Sequence, residues 1–447
     1  SAGLQPLGYQ PVRGELMQKV GNKPYISVNY TFDGLTPAGL PEDLCYKLNQ
    51  YYEQKLRQDK TAHDKIEFEI IFNTYDFMTD TRLKELAEYG FDDVEISRLR
   101  NALFEIAKQT LEHYDEICEE DLRSLGQLTE LRHELRKHAP LAETNVMKLY
   151  SYIDELLDSI KDHGTPQFTR QARCAFMARS FCRTLVEKGY FTKQEMDDFM
   201  LSIPTVASEF ERDFDLYSHG KLSRDDFNHL YGHLRLGTYD IRSDSYRNIY
   251  FDVASANLTG NNKVKQEAKS LDLERLQVAL DEAGIPVTPE KFIEFIKKAT
   301  QNREYFKFEF TKSLSLMLDV IVKLGEVMAI AREDMSYLEI QDLLSYHSRD
   351  SYIQTIETRR RFYHVNSYLV LPEVIFDVGD IDVIDIDEAR PNFITNKVVE
   401  APIVNLDEDH DSDITGKIVV LTKADPGYDW IFAKDIAGFV TKYGGAA

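Results

Sequence analysis

The sequence has few cysteines, and no two of them share a metal-binding or redox spacing. The four are Cys45, Cys118, Cys174 and Cys182 in 447 residues, and none belongs to a C-x-x-C motif. A zinc site or a thioredoxin-like motif is therefore not indicated. Because four cysteines are too few to stabilise a chain of this length by disulfide bonds, we expect reduced thiols in a cytoplasmic protein.

Long hydrophobic runs are also lacking, and negative charge exceeds positive charge. No apolar run reaches the roughly 18 residues that a membrane-spanning helix needs, and no basic stretch followed by an apolar one marks a signal peptide at the N-terminus. Lys and Arg number 53 against 76 Asp and Glu, which gives a formal net charge of −23. So acidic a chain repels phosphate backbones, which argues against non-specific nucleic-acid binding but leaves room for a local basic pocket.

The composition is that of a folded protein with a large core, because 43% of the residues are hydrophobic and 29% are charged. Apolar residues from Leu111 to Leu135 recur every three or four positions, which predicts one stripe of a long amphipathic helix or helix pair. Other helices are predicted over residues 44–56, 147–160, 170–187, 193–208, 271–283, 289–298 and 310–331.

Strand patterns lie near the two ends of the chain. Alternating apolar and polar residues predict strands over 25–30, 66–72 and 374–385, and a continuous apolar run predicts a buried strand over 417–422. We therefore predict an α+β protein with a mixed α/β part over 1–80, a predominantly helical part over 81–365 and a β-rich part over 366–447.

The segment 231–242 is the strongest candidate for a site on chemical grounds alone. It brings two glycines, one histidine, two arginines, two tyrosines and an aspartate into twelve positions. Such a segment is poor core material and reads as a loop leaving a helix, where polar groups often converge on a small ligand. The candidate residues are His233, Arg235, Tyr239 and Arg242.

Two other polar stretches have a simpler interpretation beside the functional one. The charged residues His63, Lys65 and Glu67 either face solvent at the start of a strand or form the polar wall of a pocket. The acidic loop 407–413 could attract Ca²⁺, but its spacing matches no known calcium loop, so a solvated linker is favoured and no metal site is predicted.

The last segment of the chain resembles a known family. The strand at 417–422, the acidic-Pro turn at 425–427 and the run ending in Thr441, Gly444 and Gly445 resemble the first half of the phosphohistidine swivelling domain of PEP-utilising enzymes, over about 35 residues. That family includes pyruvate phosphate dikinase, PEP synthase and rifampin phosphotransferase. There the run leads to Ser-His, so the resemblance implies a phosphoryl-carrying histidine after residue 447, outside this sequence.

A second resemblance covers more of the chain. Residues 425–432, 63–69 and 391–395, with the Gly232-His233-Leu234-Arg235 run, are similar to the subgroup that includes the bacterial L-glutamine kinase of capsular phosphoramidate synthesis. The resemblance implies that an ATP-grasp-like domain binds ATP with Mg²⁺ and that a phosphohistidine carries the phosphoryl group. The amide nitrogen of L-glutamine accepts it, and ATP and water yield AMP and phosphate.

The resemblance also implies which part of such an enzyme this chain contains. No Gly-rich phosphate loop or ATP-grasp pattern precedes the helical region, so the ATP domain is expected to be absent from this sequence. The chain then corresponds to the central substrate domain followed by an incomplete swivelling domain. By itself it is expected to be inactive and to bind no cofactor.

Roles for individual residues follow from the same resemblance. His233 is predicted as a general acid or base and Arg235 as a stabiliser of the transferring phosphoryl group. The remaining site residues divide into acceptor-binding ones, namely Tyr239, Arg242, His63, Lys65, Glu67 and Arg332, and those of the swivelling-domain motif, namely Asp425, Thr441, Gly444 and Gly445. Two alternatives stay open: a PEP synthase-like or antibiotic phosphotransferase with another acceptor, and a non-catalytic helical interaction module.

Overall fold

The computed structural model describes residues 3–12, 14–248, 270–382, 393, 395, 397–408, 412–423 and 426–443. Within this part the chain is mostly helical and has two small sheets, as an α+β protein should. The four cysteines are free thiols. None of the described helices combines the length and the apolar character that crossing a membrane requires.

Helices form most of the body and begin at residues that cap them. Asp92 and Thr192 each accept a hydrogen bond from the backbone N–H three residues on, and a glutamate at that position bonds back to the cap. The described helices are α1 (Val28–Leu35), α2 (Glu42–Gln58), α3 (Thr79–Arg82), α4 (Asp93–Lys137), α5 (Val146–His163), α6 (Thr165–Glu187), α7 (Lys193–Leu201), α8 (Val206–Ser218), α9 (Arg224–Tyr231), α10 (Leu273–Ala283), α11 (Pro289–Val327), α12 (Arg332–Met335), α13 (Ile340–Leu344), α14 (Arg349–Asn366) and α15 (Gly379–Asp382).

The strands belong to two separate sheets. Strands β1 (Met17–Val20) and β2 (Lys23–Ile26) form an antiparallel hairpin near the start of the chain. Strands β3 (Ile403–Asn405), β4 (Ile418–Lys423) and β5 (Gly438–Tyr443) form a parallel sheet in that order. A 3₁₀ helix, Pro426–Ala433, connects β4 to β5. We call residues 403–443 of the described chain the sheet segment.

The prediction of a strand over 66–72 is wrong. Residues Ile66–Ile70 form a π-helix, and the Ile71 N–H bonds to the Ile66 carbonyl five residues earlier. Side chains from elsewhere hold this turn, because the Asn73 amide donates to the Glu67 carbonyl at 2.7 Å and Arg173 donates to the Glu67 carboxylate at 2.5 Å. These long-range partners override the alternation that reads as a strand.

Two more strand predictions need correction. The strand predicted at 25–30 ends at Ile26, because Ser27 caps α1 through its side chain. The described part of 374–385, up to Asp382, contains no strand. There the Asp380 carboxylate accepts the N–H groups of Phe376 and Asp377, and local bonds of this kind compete with a sheet.

Helix boundaries differ from prediction in two places. The helix predicted over 193–208 is two helices, α7 and α8, because Pro204 has no N–H and disfavours helical geometry at the residue before it. The helices predicted over 289–298 and 310–331 are one, α11. Ala299 and Phe306 continue its buried face between the two predicted stretches, so the helix has no reason to stop there.

The hydrophobic core has two large parts along α11 and two small ones beside the sheet segment. The N-terminal half of α11 packs on α4 and α6, and its C-terminal half packs on α4 and α5. A small aromatic cluster lies between α8 and α9, and another small cluster lies under the parallel sheet. Trp430 packs against both small clusters, so it lies at the junction between the helical body and the sheet segment.

Candidate functional site

The segment after α9 is an ordered loop, as its composition predicts. Helix α9 ends at Tyr231, and the Tyr246 N–H donates to the Leu234 carbonyl at 2.8 Å. An isolated β-bridge joins Arg235 to Ser245. These bonds tie the two ends of the loop together, so its side chains have fixed surroundings. We call residues 231–247 the polar loop.

The buried guanidinium of Arg235 is hydrogen-bonded to protein groups. Its side chain is 1% exposed, Nε donates to the Ser315 hydroxyl at 3.0 Å, and Nη2 donates to the Ser315 carbonyl at 3.0 Å. Its guanidinium also bonds the Ser243 carbonyl at 2.6 Å and the Asp319 carboxylate. All four interactions are with protein groups, and the three with Ser315 and Asp319 fasten the polar loop to α11. The predicted contact with a phosphoryl group stays a prediction.

His233 is buried and has an unsatisfied ring nitrogen. It is 6% exposed, its ring meets Phe308 edge-on at 4.6 Å, and Nε2 has no hydrogen-bond partner among the described residues. Burial, followed by the nearby charges of Lys312, Arg132, Arg247 and Arg136, holds the pKa of His233 well below its ordinary value. The imidazole is consequently neutral at neutral pH, which makes it a weak base.

The cations near His233 form a local basic region in an acidic protein. Burial lowers the pKa of Lys312, and burial together with Arg247 lowers the pKa of Arg136 to about 10. The carboxylate of Glu309 lies beside both Lys312 and Arg132. The positive charges of these four residues oppose protonation of His233, although Glu309 offsets part of the charge of Lys312 and Arg132.

A cavity of about 220 Å³ lies on one side of the polar loop. The body supplies Phe210 and Phe308, the sheet segment supplies Phe432 and Phe439, and His233 is among the polar groups. Arg235, Thr238 and Ser315 also line it. The walls are mostly apolar, and the charged residues Glu304 and Lys307 also line them.

The same loop also lines a larger cleft, of about 930 Å³. Its lining comes from five parts of the chain, namely the polar loop, residues 317, 318 and 321 of α11, residues 333–343, residue 363 of α14 and the sheet segment. The sheet segment contributes Asp407, Thr422, Lys423 and Tyr428, and Tyr428 also lines the smaller cavity. This cleft has both polar and apolar walls, and it reaches the carboxyl ends of β3 and β4. Ligands of parallel sheets commonly bind at that edge.

Charged groups of both signs face this cleft. Arg242 donates to the Asp240 carboxylate at 2.6 Å from Nη2 and at 3.0 Å from Nε, and its Nη1 lies 3.8 Å from Glu333. The bond from Arg242 holds the pKa of Asp240 below its ordinary value, with a smaller effect from Lys423. Arg242 is half-exposed, so a ligand can reach it without unfolding the loop.

The predicted site residues do not all meet in one place. Tyr239 and Arg242 line the cleft, whereas His233 and Arg235 line the smaller cavity behind it. Arg332 pairs with Asp244 at the end of the polar loop, next to Glu333 of the cleft.

His63, Lys65 and Glu67 line neither cavity. The His63 Nδ1 lies 3.0 Å from the Lys60 carbonyl oxygen, Lys65 precedes the π-helix, and Glu67 forms an ion pair with the buried Arg173. Their predicted role in acceptor binding therefore has no support from proximity to the polar loop.

The swivelling-domain motif is described only in part. Thr441 lies in β5 opposite Leu421 of β4. Asp425, Gly444 and Gly445 lie outside the described residues.

Sequence reasoning missed two charged residues of the cleft, Glu333 and Lys423. Glu333 follows Arg332 directly, and Lys423 ends the strand that carries the family resemblance. Both residues therefore adjoin residues or segments that the sequence marks as candidates. No sequence signal connects them, because helix α12 and strand β4 are brought together only by tertiary packing.

Among the described residues, no three His, Cys, Asp or Glu side chains are grouped closely enough to hold a metal ion. Comparisons of the whole chain with protein-family models, with curated proteins and with solved structures find no significant match.

Proposed function

We propose that this chain supplies the acceptor site of an ATP-dependent phosphotransferase of the PEP-utilising type. In this proposal a phosphohistidine passes its phosphoryl group to a small polar acceptor, for which the sequence resemblance favours the amide nitrogen of L-glutamine. The observation that carries the proposal is that the polar loop and the carboxyl end of β4 line the same cleft.

The register of the parallel sheet explains why that edge matters. Lys423 lies opposite Tyr443, so β4 and β5 end side by side. The resemblance predicts the phosphohistidine shortly after Gly444 and Gly445, just beyond β5. A phosphoryl group carried there would be delivered at the edge where Lys423 faces Tyr239 and Arg242 across the cleft.

The charges of the cleft suit an amino acid as acceptor. The cations Arg242 and Lys423 can bind an α-carboxylate or a phosphoryl oxygen, and Glu333 can bind an α-ammonium group. The hydroxyls of Tyr239 and Ser336 offer donors and acceptors to an amide. The volume of about 930 Å³ lies at the upper end of the usual range for small-molecule sites, about 300–1,000 Å³.

The chemical step needs no further reactant. The amide nitrogen attacks phosphorus, a new P–N bond forms, and the bond from phosphorus to the histidine nitrogen breaks. The departing imidazole takes the proton that the amide nitrogen gives up. Arg242 and Lys423 would stabilise the charge on the phosphoryl oxygens during transfer. ATP and Mg²⁺ would act in an ATP-grasp-like domain, and no step is assigned to them in this cleft.

The test is calorimetric titration of the chain with L-glutamine, L-glutamate, pyruvate and buffer. We expect saturable binding of L-glutamine that weakens about 10- to 100-fold in Arg242→Ala, because a hydrogen bond to a charged group contributes roughly 1.5–3 kcal/mol. Arg212→Ala is the matched control, since Arg212 is also an exposed arginine beside an aspartate and lines neither cavity.

Each outcome of this titration selects a function. Equal binding of L-glutamine by the wild type and Arg242→Ala would show that the acceptor does not bind in the cleft. Saturable binding of pyruvate alone would support the PEP synthase-like alternative. Absence of binding by every acceptor would overturn the proposal and favour a helical interaction module.

A further inference from the structure

Two carboxylates are paired with cations beside the polar loop. The Glu309 carboxylate lies 3.4 Å from Arg132 and 2.5 Å from Lys312. Asp319 is paired with Arg235. These three cations are therefore held by protein groups, and an anion from solution would have to displace a protein carboxylate to bind them.

Two further arginines near these pairs are Arg136 and Arg247. Among the described residues, neither of their guanidinium groups has a hydrogen-bond or ion-pair partner. Arg136 belongs to the last turn of α4, one turn after Arg132, so it extends from the same face of that helix. Arg247 is exposed, and Arg136 is partly exposed with side-chain nitrogen atoms that solvent can reach. An anion can therefore approach both groups without breaking an existing interaction.

Arg247 lies across the end of α9, near enough to Arg136 for their charges to repel. The Arg247 N–H donates to the Gly232 carbonyl at 3.3 Å, and a β-carbon added at Gly232 would lie 2.7 Å from the Arg247 Cγ. Burial, followed by the charges of Arg247 and then Arg132, lowers the pKa of Arg136 to about 10, with a smaller opposing effect from Asp319. Arg136 nonetheless stays charged at neutral pH.

This arrangement suits an oxyanion with two negative charges. Two partly desolvated cations that repel each other both gain from an anion placed between them. A guanidinium group can donate two parallel hydrogen bonds to phosphate oxygens. A phosphate group can satisfy both arginines at once, whereas a carboxylate carries a single charge. Because the chain has a formal net charge of −23, this local excess of positive charge does not follow from the composition.

We propose that Arg136 and Arg247 together bind one phosphate group, either as free phosphate or as part of a small molecule, between the last turn of α4 and the polar loop. Neither arginine lines the cleft or the smaller cavity, so the site is separate from that of the proposed function and does not rest on it. Because Arg136 belongs to α4 and Arg247 to the polar loop, a bound phosphate links the two. Its binding stabilises the loop against the helical body.

Calorimetric titration of the chain with inorganic phosphate at pH 7.5 tests the site, with chloride adjusted to keep the ionic strength constant. We expect saturable binding to the wild type. Arg136→Gln and Arg247→Gln should each weaken it about tenfold or more, since one hydrogen bond to a charged group accounts for at least that factor. Arg123→Gln is the matched control, because Arg123 is an exposed arginine of the same helix.

Other ligands define the class of anion and the place where it binds. Glycerol 3-phosphate should bind at least as well as inorganic phosphate if the site serves a phosphate ester, and more weakly if it serves the free ion. Acetate should bind more weakly than either, because it carries one charge. Arg242→Ala should bind phosphate like the wild type, since Arg242 lines the cleft. Arg136→Gln should bind L-glutamine like the wild type.

Four results would overturn the proposal. They are absence of saturable phosphate binding to the wild type, equal phosphate affinity in the wild type and both glutamine variants, equal affinity for phosphate and acetate, and a loss in Arg242→Ala as large as in Arg136→Gln. None of them depends on whether L-glutamine binds, so failure of this proposal and failure of the proposed function are distinguishable. Far-UV circular dichroism verifies the folding of each variant, and Arg247→Gln, which changes an exposed side chain, keeps the test valid if Arg136→Gln does not fold.

Discussion

Gly427 lies directly against the main chain of Arg235. A β-carbon added at Gly427 would come within 1.8 Å of the Arg235 carbonyl oxygen. The Tyr246 hydroxyl also donates to the Gly427 carbonyl. The sheet segment is therefore fitted to the polar loop through backbone contacts that leave no room for a side chain.

We predict that Gly427→Ala displaces the sheet segment from the polar loop. Backbone atoms cannot rotate away from the added methyl group, and overpacking of this kind costs roughly 1–3 kcal/mol or more. Trp430 emission should shift to longer wavelength as the junction opens to water. Gly438→Ala is the control within the same sheet, because its nearest neighbour is Ile418 Cγ1 at 3.4 Å. An unchanged spectrum in Gly427→Ala would refute the contact.

We predict that Arg235 contributes mainly to the stability of the folded chain. Arg235→Met leaves Asp319 and the Ser315 carbonyl without their partner, and breaking a buried ion pair costs about 3–5 kcal/mol of unfolding free energy. The double variant Arg235→Met with Asp319→Leu should recover part of that loss. Urea denaturation measures both.

The half-exposed pair of Arg242 with Asp240 provides the comparison. Arg242→Met should lower the free energy of unfolding by no more than about 1 kcal/mol, because exposed ion pairs contribute little. Equal losses of unfolding free energy in the two arginine variants would show that Arg235 has no special structural role.

The neutral state of His233 predicts a pH dependence of stability. Its pKa is lower in the folded chain than in the unfolded one, so below about pH 6.5 the unfolded chain binds more protons. The stability of the wild type accordingly falls as the pH falls through that range. His233→Gln removes this titration, so the advantage of the wild type should shrink by up to about 1.4 kcal/mol per pH unit below 6.5.

Urea denaturation at pH 7.5, 6.5 and 5.5 measures this effect, with exposed His229→Gln as the control for replacing a histidine. The burial of His233 and the cations Lys312, Arg132, Arg136 and Arg247 all act in the same direction. A constant difference between the wild type and His233→Gln across these pH values would mean that the imidazole is not held neutral.

Local sequence signals predicted the elements that depend on neighbouring residues. The capping box of Thr192 with Glu195 and the start of α11 at Thr288-Pro289 are as expected, because each needs only residues three or four positions apart. The strand at 417–422 also formed, as β4. The π-helix at 66–70 was missed because its stability depends on Arg173, about a hundred positions away.

The candidate site was predictable only in part. The polar loop stands out by composition, but its residues are divided between two cavities. That division depends on how the sheet segment packs on the loop. The periodicity of apolar residues in the sequence does not predict such tertiary contacts. For the same reason Lys423 could not be connected with Arg242 before the fold was known.

The central claim is that the acceptor site needs both the polar loop and the carboxyl edge of the sheet. The most direct test is calorimetric titration of L-glutamine into Lys423→Ala and Lys417→Ala, which change the two ends of one strand: Lys423 closes β4 at the cleft, and Lys417 directly precedes it at the opposite edge. The account predicts that Lys423→Ala weakens binding about tenfold or more and that Lys417→Ala binds like the wild type. Equal affinity in both variants would contradict it.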